Sequence, residues 1–408
     1  MKARTQKNSI SYVLEIASDK LSLGKISTND HAGEIGFVSV ASDGFHQGTI
    51  TNKQTLEKSL EKLISAAEKK FDDDISKVAL IVGADFCITK QVLSEQINLK
   101  NTCVTEQDIK KLQNKLDFAP ESKDDELIHT ELNHYLVDTN QKLEDPNGIS
   151  GKKLGAEVCL VSARQSYLRD LVNVCNLTGL QITSFIPETL ALEKSCLSKE
   201  DKNLGCVLID FGKSSIKCSV YIDGCFQKAF TINQGGGVIT NDLAIGLNLN
   251  LETAELLKHH FGIGIDGERR EFVDIRGSEK TIKYQDVSPV LGPRIIELCS
   301  AIGSELTAYK GRLGAGVVLT GGGSELRYFD RFLKSRWKIP VISRAPSLMS
   351  LYPHQDAASL HYPMKDSSLI GALIIEVEKQ RHNENHFSKD TWLKKSFHSF
   401  VGWIKELS

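Results

Sequence analysis

Residues 207–224 read VLIDFGKSSIKCSVYIDG. Val207, Leu208 and Ile209 are a short apolar run of β-prone residues that ends in an acid, Asp210. A tight loop follows, Phe211-Gly212-Lys213-Ser214-Ser215. Ile216, Cys218 and Val220 then alternate with Lys217, Ser219 and Tyr221, the period of a half-buried strand, and Asp223-Gly224 is a hairpin turn signal. The stretch predicts strand, loop, strand, turn. Glycine lets a backbone come close, so such a loop can offer N–H groups to an anion. An acid at the end of the leading strand can hold the water shell of a metal ion. An ordinary β-hairpin satisfies the same pattern, so the rest of the chain has to decide.

Residues 10–23, ISYVLEIASDKLSL, repeat it: an apolar run, Glu15, the short loop Ala17-Ser18-Asp19-Lys20, and a second strand carrying Leu21 and Leu23. Two acid-ended hairpins half a chain apart predict an internal duplication, with two lobes and a phosphate loop on each wall of a cleft. Val317-Val318-Leu319 leads into Thr320-Gly321-Gly322-Gly323-Ser324 and then a predicted helix. Strand, glycine turn and helix N-terminus suit a bound nucleotide, though a tight turn alone would read similarly. Gln234-Gly235-Gly236-Gly237 precedes a helix expected to open at Thr240 or Asn241. The helix expected over 251–261 is stopped by Gly262. It carries Glu255 and Lys258 three apart, on one face. A long helix is expected over 293–309.

Composition narrows the class. The chain has 408 residues, enough for several domains. Its net charge of −2 argues against a general nucleic-acid binder. Nine cysteines without a CxxC pair read as reduced thiols, neither a disulfide frame nor a zinc site. The opening MKARTQKNSI has no apolar core behind its charges, so no signal peptide is expected. No run approaches the ~18 apolar residues of a spanning helix. His259-His260 and Asp72-Asp73-Asp74 read as surface, since neither has a third ligand or partner nearby in sequence.

Leu56, Leu60, Leu63, Ile64 and Ala67 mark an amphipathic helix, followed by a strand over 78–82. Thr105-Glu106-Gln107-Asp108 is a capping box opening a helix with Ile109, Leu112 and Leu116. Strand-like pieces flank Asp145-Pro146-Asn147-Gly148, so residues 85–160 read as a small α+β insertion, and a helix over 165–176 returns to the main body. At the other end, Leu393, Phe397, Phe400, Ile404 and Leu407 share one helical face. Val401 widens that face, Trp392 and Trp403 lie near its edges, and Lys394, Lys395 and Lys405 take the other side. With the polar stretch 380–386 before it, this reads as a membrane-surface helix on a linker. The alternative is a terminal helix docked on the protein's own core.

These residues together resemble the superfamily of actin, heat-shock chaperones and sugar kinases, and within it the FtsA family of bacterial cell-division proteins. The likeness extends beyond the nucleotide loops. It includes Glu255-Leu256-Leu257-Lys258, Gly235-Gly236 followed by Thr240 to Ala244, and the 104–109 and 147–151 stretches of the insertion. The resemblance implies an α/β, two-lobed, actin-like ATPase fold. Lobe one would span residues 1–84 and 161–203, and the inserted 1C subdomain 85–160. Lobe two would span 204–243 and 316–379, with subdomain 2B over 244–315. A linker over 380–390 and a membrane-targeting helix over 391–408 would complete the chain.

The resemblance also implies a nucleotide site. ATP would contact Glu15, Ala17, Ser18 and Lys20; Asp210, Gly212, Lys213, Ser214 and Ser215; Gly235 and Gly236; Glu255 and Lys258; and Gly321, Gly322, Gly323 and Ser324. Mg2+ would be held through water by Asp210. Arg294 and Glu297 would receive the FtsZ C-terminal tail, and Trp392, Leu393, Phe397, Phe400, Val401, Trp403 and Ile404 would enter the membrane. Expected partners are FtsZ, other divisome proteins through 1C, further copies of the chain in filaments, and inner-membrane lipids; nucleic acid is not among them. The location implied is the cytoplasmic face of the inner membrane at the septum, as a peripheral protein.

Three departures from the family pattern bear on chemistry. Ala17-Ser18 stands for Gly-Thr, Lys213-Ser214 for two glycines, and Lys217 for the second acid of the loop. Either Lys213 and Lys217 neutralise the phosphates, or the site is degenerate; slow or absent hydrolysis is expected in both cases. A PilM-like pilus-assembly scaffold and an ATP-dependent enzyme of the same superfamily are the alternatives, and the terminal helix has no role in a kinase.

Overall fold

Each acid-ended hairpin begins a five-stranded sheet, and the two sheets have the same topology. In the computed structural model, which describes residues 9–28, 34–116, 118–138, 141–263, 271–273, 281–348, 351 and 362–384, strands Ser9–Ile16, Lys20–Thr28 and Glu34–Ala41 form an antiparallel meander. Lys77–Val82 and then Gln181–Pro187 add parallel to its first strand. The second sheet repeats this with the meander Cys206–Phe211, Ile216–Ile222 and Cys225–Ile232, extended by the parallel strands Gly316–Thr320 and Val341–Ser343. The first strand is central in both, so Glu15 and Asp210 occupy equivalent ends. The expected duplication is therefore present, and it includes strands that the sequence pattern did not mark.

Two helices cross between the sheets. Glu188–Cys196 follows the last strand of the first sheet and contacts the second; Ser367–Glu384 returns to pack on the first. Ile370, Leu373, Ile374 and Val377 of the latter are fully buried with Val13, Ile26, Ala79 and Ala191. The helices touch at Gly371, where a Cβ would overlap the backbone of Ala191. The helix Lys53–Phe71 opens with the Asn52 side chain accepting from Thr55 N–H at 3.1 Å, and it buries Leu56, Leu60 and Leu63 on the first sheet.

Inserted within the first half, between Lys77–Val82 and Gln181–Pro187, the strands Cys87–Leu93, Ile97–Asn98, Asp125–Val137, Gln141–Leu143 and Lys153–Arg164 form a separate sheet. The helix Glu106–Lys115 covers it, opened by the Thr105–Asp108 capping box.

Four expectations change. The helix after Gly235 opens at Gly236, four residues early, because the Gly236 and Gly237 N–H groups find carbonyl partners in the Gly212–Ser215 loop. The glycine turn after Thr320 continues as a short 3-10 helix, Gly322–Glu325, and the α-helix begins only at Phe329. The long helix runs Tyr284–Glu305 and contains both Pro289 and Pro293. A proline inside a helix costs roughly 3 kcal/mol, and burial of Val287, Leu291, Ile295 and Leu298 opposes that. The stretch from 380 expected as linker is helical through Glu384, an extension of the buried Ser367 helix. The expected membrane-targeting helix, 391–408, lies outside the described residues. No helix among the described residues is long and apolar enough to cross a membrane.

Candidate functional site

The acids that end the two central strands come together between the lobes. Glu15 is 6% exposed. The Ser368 hydroxyl donates to its Oε1, and its Oε2 is buried without a hydrogen bond, 3.9 Å from Lys20 Nζ. Burial pushes the Glu15 carboxyl above the usual range against the pull of Lys20. Lys20 donates to the Lys365 carbonyl at 3.0 Å and pairs with Asp366, so the start of the last helix closes over the first loop. The loop itself is tight. Ala17 N–H donates to the Lys20 carbonyl at 3.0 Å, and Ser18 Oγ accepts from Gln47 N–H at 2.9 Å.

The second loop is built on backbone bonds. Gly212 N–H donates to the Ser215 carbonyl at 3.0 Å, while Gly236 and Gly237 donate to the Gly212 and Lys213 carbonyls at 2.9 and 2.8 Å. Lys213 is exposed, Ser214 half-buried and Ser215 buried. Gly235 has no room for a side chain beside the Gly212 and Lys213 carbonyls. Gly321 has φ +83°, a region that favours glycine, and a Cβ there would collide with the Asp210 carboxylate. Gly323 lies on the Phe211 ring, and Ser324 Oγ donates to the Gly321 carbonyl at 2.6 Å. Gly322 is different: a Cβ would meet only the Lys365 Cβ, at 3.8 Å.

Lys258 reaches the same place from its helix, Leu251–Phe261. It is 2% exposed, and its Nζ donates to Glu255 at 2.7 Å, Thr240 Oγ1 at 3.0 Å and the Gly236 carbonyl at 3.2 Å. Burial lowers its pKa, partly offset by Glu255. Burial acts on Glu255 too, but hydrogen bonds from His259, Lys258 and Thr240 overcome it and hold the carboxyl at about 2. The structure thus gathers the first loop, the second loop, Gly235–Gly236, Lys258 with Glu255, and the Gly321 turn.

Arg294 and Glu297 lie elsewhere, on the helix Tyr284–Glu305. The Arg294 guanidinium grips Asp242, Nε to Oδ2 at 2.6 Å and Nη2 to Oδ1 at 3.3 Å, and reaches Glu297 at 2.7 Å. Ile245 and Ile296 are exposed on the same two helices.

Long-range contacts add residues that sequence reading passed over. Asp85 follows the end of the Lys77–Val82 strand and accepts from Ser215 Oγ at 3.4 Å. Asp366 and Ser368 sit at the start of the last helix. Glu188 begins the first crossing helix; its Oε2 accepts from Ala84 N–H at 2.9 Å and its Oε1 lies 2.5 Å from Lys217 Nζ. No local pattern marks these acids, because each enters the site from a different element.

The magnesium expected on Asp210 does not fit. Lys217 stands directly opposite Asp210 in the strand ladder, and its ammonium lies 3.8 Å from Asp210 Oδ2. The described residues contain no group of three or more metal-ligating side chains.

A family model described as cell division protein FtsA matches residues 207–362, and one described as the SHS2 domain inserted in FtsA matches 88–162. The chain belongs to the FtsA family. It is 25% identical to the FtsA of Neisseria meningitidis serogroup B, with 83% of this chain and 84% of that one covered. It is 23% identical to the Escherichia coli FtsA, covering 97% and 96%. FtsA proteins are cell-division proteins, and this chain is one with an actin-like fold. Solved neighbours share that fold. A PilM–PilN pilus biogenesis complex has a TM-score of 0.58 at 14% identity, covering 90% of this chain and 98% of that one. MreB5 of Spiroplasma citri bound to ADP has 0.53 at 12%, covering 92% and 98%. The MamK double helical filament has 0.52 at 11%, covering 90% and 98%.

Proposed function

We propose that the chain binds ATP between its lobes with slow or absent hydrolysis, and ties the FtsZ polymer to the inner face of the membrane at the septum. The observation that carries the nucleotide reading is the convergence of two acid-ended loops, buried Lys258 and the Gly321 turn on one cleft, where Glu15 Oε2 is left without a hydrogen bond. Exposed Lys213 on the second loop supplies positive charge for phosphates. MreB5, of the same fold, holds ADP, and MamK, of the same fold, builds a filament; we carry both properties to this chain as proposals. Slow turnover is expected because Glu188, an acid of the cleft, is tied to Lys217 and to Ala84 N–H.

Titration with a fluorescent ATP analogue is expected to saturate. Gly322→Asp should reduce the affinity by at least about tenfold with an unchanged melting temperature, because its Cβ has space and only the new carboxylate enters the cleft. Absence of saturation in the wild type at millimolar nucleotide would remove the nucleotide reading.

The FtsZ tail is proposed to dock on subdomain 2B, residues 244–315, with Arg294 and Glu297 at its edge. An acidic peptide with apolar anchors suits a guanidinium beside exposed Ile245 and Ile296. Binding requires Arg294 to exchange Asp242 or Glu297 for a peptide carboxylate. Arg294→Glu leaves three acids together, so tail-peptide affinity measured by fluorescence anisotropy is expected to fall about tenfold or more. Stability should change little, as exposed ion pairs contribute about 0–1 kcal/mol. Unaltered affinity would take this residue out of the site.

A further inference from the structure

The acid-rich end of the Asp210 strand already contains a buried cation. Lys217 leaves its strand at the position paired with Asp210, and its side chain is 18% exposed between Glu188 at 2.5 Å and Asp210 at 3.8 Å. Asp85, bonded to Ser215, adds a third carboxylate, whose pKa burial raises against the pull of the same ammonium. Burial acts to lower the Lys217 pKa, but Glu188 and Asp210 override it and raise it above the ordinary value. The ammonium cannot move far, because the ladder fixes its Cα opposite Asp210 and Glu188 is in turn held by Ala84 N–H. In the twin hairpin the residue paired with Glu15 is Ser22, and the nearby cation, Lys20, comes from the loop instead of the ladder. A divalent ion here would need carboxylate oxygens, directly or through water, that are free of other cations. Both nearest carboxylates already face Lys217.

We propose that the Lys217 ammonium is the resident cation of this site, filling the place between Glu188 and Asp210 that a divalent ion would take, so that a nucleoside triphosphate binds in the cleft without divalent metal. The second half rests on the nucleotide reading above; the first half does not. The lysine serves the site as a positioning charge: it neutralises the acids that would otherwise repel phosphate, and it occupies Glu188.

Two measurements on the full chain separate the halves. The first uses Mn2+ alone, followed by electron paramagnetic resonance. Wild type is expected to hold none at millimolar metal, whereas Lys217→Asp gains a bound ion; Lys217→Ala, which frees Glu188 and Asp210 without adding a charge, serves if the first variant does not fold. A site in wild type, or a folded variant with no gain, overturns the resident cation. The second measurement is calorimetric titration with ATP in EDTA and in Mg2+. Wild-type affinities are expected to agree within about threefold, and those of the variants to rise about tenfold or more when Mg2+ is added. A tenfold gain with Mg2+ in wild type overturns metal-free binding. No ATP binding in either condition overturns the nucleotide reading, and the Mn2+ result still decides the position of the cation.

Discussion

Gly371→Val is expected to lower the melting temperature by several degrees, and to weaken nucleotide binding with it. Gly371 is where Ser367–Glu384 passes Glu188–Cys196, and a Cβ there would overlap the carbonyl carbon and oxygen of Ala191. Backbone cannot rotate out of the way as a side chain can, so the helices must separate. Overpacking a core costs roughly 1–3 kcal/mol, and a branched residue against backbone belongs at or beyond the upper end. The helices also carry the site. One starts with Glu188, and the other starts beside Asp366 and Ser368, which hold Lys20 and Glu15. Shifting either helix therefore displaces acids and lysines on both walls of the cleft. Gly292→Ala is the control: apart from its chain neighbours nothing lies within 4 Å of its Cβ position, so no packing between elements is disturbed. Scanning fluorimetry of both variants with a denaturant midpoint checks the pair. An unchanged Gly371→Val midpoint would mean that the helices do not cross at this distance.

The two hairpins were legible because their message is local: apolar run, acid, small loop, alternating strand. From them followed the duplication and the facing of the two loops across the cleft. The Thr105 capping box was legible for the same reason, as its partners are three residues apart. The start of the helix at Gly236 was not, because the partners of its first amides lie in a loop more than twenty residues earlier. The helix expected from residue 293 starts instead at Tyr284, and the burial of Val287, Leu291 and Ile295 that carries it across Pro289 and Pro293 becomes visible only when the neighbouring elements are in place. Lys217 is the instructive case. Its identity was plain as a departure from the family loop, and its facing of Asp210 follows from hairpin register. Its partner Glu188 lies twenty-nine residues away on another element, so the sequence raised the question of the metal while only the fold bears on the answer.

The terminal segment is proposed to provide membrane attachment, and Phe400→Glu with Ile404→Glu is expected to abolish it. On a helix the two residues lie four apart on one face, with Leu393, Phe397 and Val401. Burying a large apolar side chain is worth roughly 1.5–3 kcal/mol, so losing two removes about 3–6 kcal/mol before the cost of placing two carboxylates against anionic lipid. At about 1.4 kcal/mol per decade, that is a fall of 10²–10⁴ in partitioning. The remaining face cannot make it up, since a helix this short is marginal in water and must be ordered by the surface it binds. Lys394, Lys395 and Lys405 add about 1 kcal/mol each on an anionic membrane, so replacing Lys394 and Lys395 should weaken binding and make it less dependent on salt. Attachment of this strength is reversible for one copy and firm for a filament presenting many helices at once. Pelleting with anionic liposomes reads both effects, and nucleotide affinity should be unchanged in either variant because the substitutions lie beyond the helix that closes the cleft. If the double glutamate variant still pellets with lipid, the segment is a docked terminal helix and the membrane tether loses its support.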